Sequence, residues 1–369
     1  MSTRPPNNST GPFDHLALRY LRQALDTSHP TDEPYVLNSL ESRVIRRTKM
    51  VTLFMAALLG MLGVLLLYLP QYAWPDLFTD TPIVLFGELY KLPLLTTLYG
   101  LLLIYLEVNI LIALNLRGVK AIMQVCQFPR AHDAQYDRHL RSLADAALEK
   151  ANSGMVRFGV DPYLNLPRWG LLMFFLTNIV KATLCNLVLK FVLRRSAGTY
   201  MLQQVTDLAG MPVYAFWNAW ASWQVLHEAQ VRVMAPMTIR EFVNELYDEW
   251  GNNDQFRPLI LEALQYAGIL KRQYNYAHFL LTETLCDRFE LRMNATLTGH
   301  FLEQASQAPV EVRRSLERLI VFGALVDGKL SWSERRRLNQ LRKKSFLTYS
   351  PKDIQRISVD YNQGRGLWV

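Results

Sequence analysis

Two ionisable side chains lie inside apolar stretches of the chain. Glu107 is part of Leu92–Leu116, and Lys181 is part of Trp169–Val192. If both stretches are helices that cross a bilayer, Glu107 lies roughly 13 Å and Lys181 roughly 18 Å from the same membrane edge. A charge in hydrocarbon is costly and is best stabilised by an opposite charge. The sequence therefore predicts an intramembrane ion pair between Glu107 and Lys181, which either fixes helix register or belongs to an ion or proton path.

A second group of chemically competent residues lies near the C-terminus, in the segment DGKLSWSE at residues 327–334. Gly328 fits a helix end that needs a left-handed backbone. Ser331 and Glu334, three residues apart, match a capping box, in which each side chain accepts a backbone N–H of the other residue. The pattern predicts a joint between two helices.

This segment resembles the TerB-like module known from bacterial tellurite-resistance proteins, over residues 318–347. The resemblance rests on Asp327, Gly328, Ser331 and Glu334, which match a D-G-x-[IL]-S-x-x-E joint. In that family the acidic residues of the joint are suggested ligands of a divalent metal. The resemblance implies Asp327 and Glu334 as metal ligands here, whereas plain helix capping is the alternative.

The helix predicted after this joint carries a dense basic patch. Six cations fall within ten residues: Arg335, Arg336, Arg337, Arg342, Lys343 and Lys344. On the cytoplasmic side of a membrane such a patch attracts anionic lipid headgroups. It has neither interleaved aromatic residues nor a nucleic-acid-binding signature, so no nucleic acid partner is expected. A solvated helix face is the alternative.

The sequence contains no phosphate loop, nucleophile elbow, zinc-protease motif or dinucleotide fingerprint. No two of its seven histidines have ligand spacing. Cys126, Cys185 and Cys286 are far apart and suggest neither a disulfide framework nor a redox pair. We therefore expect a protein that is not an enzyme and uses no cofactor.

The segment that decides the protein class is Met50–Leu69, twenty residues without a charge. A helix of that length covers about 30 Å, the thickness of the bilayer hydrocarbon, and pairs its backbone internally. Leu92–Leu116 is a second span of the same kind. The connection at 70–91 is acidic, whereas cations precede the first span and follow the second. The positive-inside rule then places both cation-rich flanks in the cytoplasm.

Two further apolar stretches, Trp169–Val192 and Pro212–Val233, contain polar or charged residues and make weaker spans. If both cross, the chain has four spans and both termini are cytoplasmic. Arg194 and Arg195 would then lie outside, against the positive-inside rule. A re-entrant or surface-lying hairpin over 169–233 is the alternative. Trp217, Trp220 and Trp223 form one aromatic face, which indicates packing and interfacial anchoring.

The character of the chain changes at Pro236. Thr238 and Glu241 fit a capping box, and helices are predicted at about 239–250, 256–272, 276–293, 299–307, 310–326, 332–344 and 351–361. No strand pattern competes there. This part is long enough to form its own core.

The predicted fold is all-α: a membrane helical bundle plus a cytoplasmic helical domain. The predicted organisation is a cytoplasmic N-terminal segment with an amphipathic helix (1–49), a transmembrane hairpin (50–116), a cytoplasmic helical connector (117–168), a weaker transmembrane or re-entrant hairpin (169–235) and a cytoplasmic helical domain (236–369). A net charge of +8 and a mean hydropathy of only +0.03 fit this mixture of apolar and charged parts.

The whole pattern, and Pro212–Pro236 in particular, resembles multi-pass bacterial membrane proteins of uncharacterised function. The expected location is the bacterial inner membrane. The expected role is non-enzymatic: the helical domain binds a cytoplasmic protein or the anionic inner leaflet, in the context of envelope stress. The alternative is a small ion channel or transporter that uses Glu107 and Lys181.

Overall fold

The computed structural model describes residues 12–23, 37–79, 81–85, 88–92, 94–129, 135–148, 208, 210–271, 275–291 and 301–369. Helices dominate these residues. In chain order the elements are α1 (Pro12–Arg22), α2 (Ser39–Ala73), β1 (Thr81–Leu85), β2 (Glu88–Leu92), α3 (Leu94–Cys126), α4 (Tyr136–Ala147), α5 (Met211–Trp250), α6 (Arg257–Lys271), α7 (Tyr276–Arg288), α8 (Phe301–Gln307), α9 (Val310–Leu325), α10 (Trp332–Lys343) and α11 (Pro351–Asn362).

The chain divides into two compact units. Unit 1 takes Met1–Ile45, Val119–Leu166 and His227–Val369, and unit 2 takes Arg46–Gly118 and Pro167–Leu226. Three long helices, α2, α3 and α5, each contribute one part to each unit. The predicted C-terminal domain at 236–369 lies within unit 1, whose last segment begins at His227.

Unit 2 contains the two described helices that are long and apolar enough to cross a membrane, α2 and α3. They run antiparallel: the Tyr99 hydroxyl donates to the Leu66 carbonyl at 2.7 Å, and Gly63 lies against the Glu107 carboxylate. Large apolar side chains on both helices are exposed in the structure, as a lipid-facing surface requires. The predicted spans Met50–Leu69 and Leu92–Leu116 lie almost entirely within these two helices, which extend further at the cationic flanks.

The first part of α5 packs on the same pair of helices. A Cβ at Gly60 would lie 2.7 Å from the Tyr214 backbone. A Cβ at Gly118 would lie 2.5 Å from Leu226. Early in α5, the Asn218 amide donates to the Glu107 carboxylate in the middle of α3 at 2.6 Å, whereas Leu226, later in α5, lies beside Gly118 nearer the end of α3. The two helices therefore run parallel. The start of α5 therefore lies at the same end of unit 2 as the start of α3.

The connection between α2 and α3 contains a β-hairpin that the all-helical prediction did not include. β1 and β2 pair antiparallel, with Thr81 opposite Leu92 and Leu85 opposite Glu88. The run Thr81–Leu85 contains three β-branched residues, which favour a strand over a helix. The predicted acidic loop at 70–91 is thus partly a short two-stranded sheet.

The regular elements in the described residues of unit 1 are helices, as predicted. Its core centres on α9, which packs chiefly on α6, and the rings of Phe242 and Phe322 stack at 3.9 Å between centroids. The helices predicted from residue 256 onwards are confirmed, with differences of a few residues at their ends. α4, in the predicted helical connector, buries Leu140, Leu143 and Ala147 and packs against α1.

One predicted helix start is wrong. The sequence predicts a new helix from Thr238, yet α5 continues through Pro236 to Trp250. The Thr238 hydroxyl does not cap but donates to the Met234 carbonyl at 3.0 Å. Pro236 removes one intrahelical hydrogen bond. The buried side chains of Val233, Ala235 and Ile239 on either side hold the helix in place.

Candidate functional site

The joint predicted at residues 327–334 is present between α9 and α10. Gly328 has a left-handed backbone (φ +68°). The Ser331 hydroxyl accepts the Glu334 N–H at 3.3 Å, and the Glu334 carboxylate accepts the Ser331 N–H at 2.8 Å. This is the capping box that the sequence predicts. The Asp327 carboxylate accepts the Lys329 N–H at 3.0 Å and closes the turn before it.

The joint is packed tightly against α5 and α11. A Cβ at Gly328 would lie 2.7 Å from Asn362 Oδ1, 3.0 Å from Val231 Cγ2 and 3.1 Å from His227 Cε1. Beside it, the Tyr361 hydroxyl donates to the Val326 carbonyl at 3.0 Å. Burial, and after it the carboxylates of Asp327 and Glu228, raise the pKa of Tyr361. The phenol therefore stays neutral and serves as a structural hydrogen-bond donor.

Asp327 and Glu334 are both buried, and one oxygen of each accepts a backbone N–H. Within the described ranges, no group of three or more His, Cys, Asp or Glu side chains is placed to hold a metal ion. The two carboxylates thus make the hydrogen bonds of a helix joint, and the metal role that the TerB-like resemblance implies stays a prediction.

A buried ionic cluster in α5 was missed by the sequence analysis. Arg232 is only 4% exposed, and its guanidinium lies 3.1 Å from Glu228, donates to the Ser142 carbonyl and stacks on the Tyr276 ring at 5.5 Å. Lys329 of the joint lies 3.9 Å from the same Glu228. The cluster ties α4, α5, α7 and the joint together. The i,i+4 spacing of Glu228 and Arg232 could have indicated an ion pair within one helix. It was not used because both residues fall in the stretch Pro212–Val233, which was interpreted as apolar.

The basic patch lies along α10 and its C-terminal end. Arg335, Arg336, Arg342, Lys343 and Lys344 are exposed, and Arg337 is half-buried. The Trp332 ring, 75% exposed, lies under the Arg336 guanidinium at 5.7 Å. The one carboxylate within α10 is Glu334, which is used in the cap. The outer face of α10 therefore presents cations and an indole ring to solvent.

A pocket of about 540 Å³ lies between α10 and α11. Its floor includes the buried side chains of Leu338 and Ile354. Exposed cations from both helices line its edge: Arg335, Arg342, Lys352 and Arg356. Asp360, the carboxylate among the lining residues, pairs with Arg365 at 3.0 Å. Part of the predicted basic patch thus surrounds an apolar pocket.

Glu107 lies in unit 2 and accepts a hydrogen bond from the Asn218 amide at 2.6 Å. It lines a cavity of about 150 Å³ together with Gly60, Gly63 and Gly100. Lys181, its predicted ion-pair partner, lies outside the described residues, so the pair stays a prediction. The Asn218 contact was not predicted, although an amide on a neighbouring apolar helix is a common partner for a buried carboxylate.

Polar atoms elsewhere in unit 2 are buried without a described partner. Three such atoms have no hydrogen-bond partner among the described residues: Asn115 Oδ1, Trp217 Nε1 and Ser222 Oγ. The tryptophan face on α5 is present, with the rings of Trp220 and Trp223 stacked at 5.0 Å. This stacking agrees with a packing role for the aromatic residues.

No family model, curated protein or solved structure matches this chain. The TerB-like resemblance of residues 318–347 therefore stays a prediction. Functional conclusions rest on the chemistry of the described side chains. Those side chains offer cations, an exposed indole ring and an apolar pocket, which suit the binding of an anionic, partly apolar ligand or surface.

Proposed function

We propose that this chain is a non-enzymatic integral membrane protein of the bacterial inner membrane whose helical unit binds the anionic leaflet. The proposal rests on the outer face of α10, where the exposed Arg336 lies over the exposed Trp332 ring. Two further exposed cations, Lys343 and Lys344, lie at the C-terminal end of the same helix. Cations near an anionic bilayer each contribute about 1 kcal/mol. Indole rings favour the headgroup region, where one edge is wet and the other apolar. The two features together suit a lipid surface.

Four spans with cytoplasmic termini form part of this proposal. Because α3 and α5 run parallel, the chain between them returns to the end of unit 2 where α3 begins. If α5 crosses the bilayer alongside α3, that return adds one further crossing. The cations at Arg46, Arg47 and Lys49 on one flank and at Arg117 and Lys120 on the other support a cytoplasmic position for both flanks.

A capture assay with the full chain tests the surface. The protein is placed in nanodiscs of neutral phosphatidylcholine, and these are mixed with vesicles that contain phosphatidylglycerol and floated on a gradient. We expect capture that falls with salt, because the attraction is screened. The double variant Arg336→Gln with Lys343→Gln should lower the free energy of vesicle binding by about 2 kcal/mol, which weakens capture roughly thirtyfold.

The matched control removes two exposed cations elsewhere in unit 1, Arg240→Gln with Arg314→Gln. It should capture vesicles nearly as well as the unchanged protein. Equal losses in both double variants would show that net charge, not this surface, is responsible. Capture of neutral vesicles to the same extent would contradict the proposal.

A second candidate function is a small ion channel or transporter, favoured by the Glu107–Asn218 pair beside a cavity and by the unpartnered polar atoms of unit 2. Ionisable groups inside membrane helices commonly mark ion paths. Flux measured in proteoliposomes tests this function: a channel should conduct cations and lose conduction with Glu107→Gln. An ion-tight reconstituted protein would exclude it.

A further inference from the structure

We infer that the pocket between α10 and α11 binds a single-chain anionic amphiphile, a long-chain fatty acid. The pocket volume of about 540 Å³ lies in the range of small-molecule sites, about 300–1,000 Å³. The inference adds a discrete ligand site to the surface proposed above and involves different side chains.

The floor of the pocket selects an apolar chain. Leu338 and Ile354 are buried beneath it, and Leu330 and Val359 complete the apolar lining. None of these side chains can bind a charge. Covering the apolar surface that Leu330 and Val359 still expose to water would favour binding by about 25 cal/mol per Å². Val359 is 40% exposed, so a ligand chain would cover apolar surface that now faces water.

The edge of the pocket selects an anion. Arg335 and Arg342 extend from α10, and Lys352 and Arg356 extend from α11. Arg356 lies 4.0 Å from Asp360. Within the part of the chain that the structure describes, no carboxylate pairs with Arg335, Arg342 or Lys352. Arginine binds a carboxylate through two parallel hydrogen bonds, which makes it suited to a fatty-acid headgroup.

The pocket wall also contains an unsatisfied amide. Gln355 lines the pocket, and its side-chain oxygen is buried without a hydrogen-bond partner among the described residues. An amide can present its oxygen or, after rotation, its NH₂ group. A carboxylate headgroup could accept a hydrogen bond from the NH₂ group of the rotated amide, a partner that the described residues do not supply.

Photolabelling tests this inference on the full chain in neutral phosphatidylcholine nanodiscs. A diazirine-bearing palmitate is cross-linked, and the labelled peptides are identified by mass spectrometry. We expect labels on 330–342 and 351–360, competed by palmitate but not by its uncharged methyl ester. Arg335→Gln with Arg342→Gln should reduce labelling roughly tenfold or more, because two charge-assisted hydrogen bonds are lost.

The control Arg240→Gln with Arg314→Gln should label normally. Val359→Trp, which fills the pocket and leaves every cation in place, should also abolish labelling, and a melting curve verifies that it folds. Competition by the methyl ester equal to that by palmitate would overturn the inference. So would unchanged labelling in both pocket variants, or competition by an acidic amphipathic peptide or by phosphatidylglycerol in place of palmitate. Because neutral nanodiscs offer no anionic surface, this result is independent of the vesicle capture assay.

Discussion

Replacement of Gly328 by alanine should be among the most destabilising small changes in unit 1. Two costs combine. A left-handed backbone costs a residue with a Cβ about 1–2 kcal/mol. The added methyl would lie 3.0 Å from Val231 and 3.1 Å from His227, both buried, and overpacking of a close-packed site costs about 1–3 kcal/mol. The expected loss of unfolding free energy is about 2–5 kcal/mol, the sum of these two costs.

Gly366 supplies the matched control for the backbone term. It is also left-handed (φ +88°), but a Cβ there would meet the end of the Trp368 side chain, which is 66% exposed and can move aside. Gly366→Ala should therefore cost only about 1–2 kcal/mol. The difference between the two variants isolates the packing term.

The assay is thermal unfolding of the full chain in neutral nanodiscs, followed by tryptophan fluorescence. At about 2–4 °C per kcal/mol for a unit of this size, the extra loss at Gly328 lowers Tm roughly 2–12 °C below that of Gly366→Ala. Equal shifts in the two variants would refute the close packing of the joint on α5. No shift in either would refute the left-handed helix end.

Three further outcomes are expected in the same preparation. Ser331→Ala should lower the free energy of unfolding by about 1 kcal/mol through the lost cap. Calcium, magnesium, zinc or a chelator should leave the Tm of the unchanged protein the same. A metal-dependent rise in Tm that disappears in Asp327→Asn would instead establish the metal site. Burial raises the pKa of Tyr276 to about 12, so the unfolded phenol ionises first and stability falls by about 2–3 kcal/mol between pH 10 and 12; Tyr276→Phe should lessen that fall, and an unchanged pH profile would contradict it. If Glu107 and Lys181 pair, the losses of unfolding free energy caused by Glu107→Gln and Lys181→Met should depart from additivity by more than about 0.5 kcal/mol. Additive losses in this double-mutant cycle would refute the predicted ion pair.

Much of the fold was predictable because its signals are local. Met50–Leu69 has no charge, so its helix needs no tertiary information. The α9–α10 joint was predictable because Gly328, Ser331 and Glu334 act within seven residues of one another. Local signals also lie at helix starts in the C-terminal part, where Pro309 directly precedes α9 and Pro351 is the first residue of α11.

What was missed depends on tertiary packing. Pro236 and Thr238 are a correct local signal for a helix break, but burial of Val233, Ala235 and Ile239 overrides it. The hairpin at 81–92 lies in a short acidic connection where β-branched residues were overlooked. The α10/α11 pocket could not be predicted, because no periodicity tells that Arg335 and Lys352 line the same cavity.

Lipid contact at position 332 in living cells tests the central claim most directly. A photoreactive phenylalanine analogue is placed there, beside Arg336, and at the exposed position 254 as a control. Irradiated protein is purified and its adducts are weighed by mass spectrometry. We expect adducts with anionic phospholipid at 332 and none at 254. Adducts at 332 that contain only protein, or lipid adducts of equal yield at both positions, would contradict it.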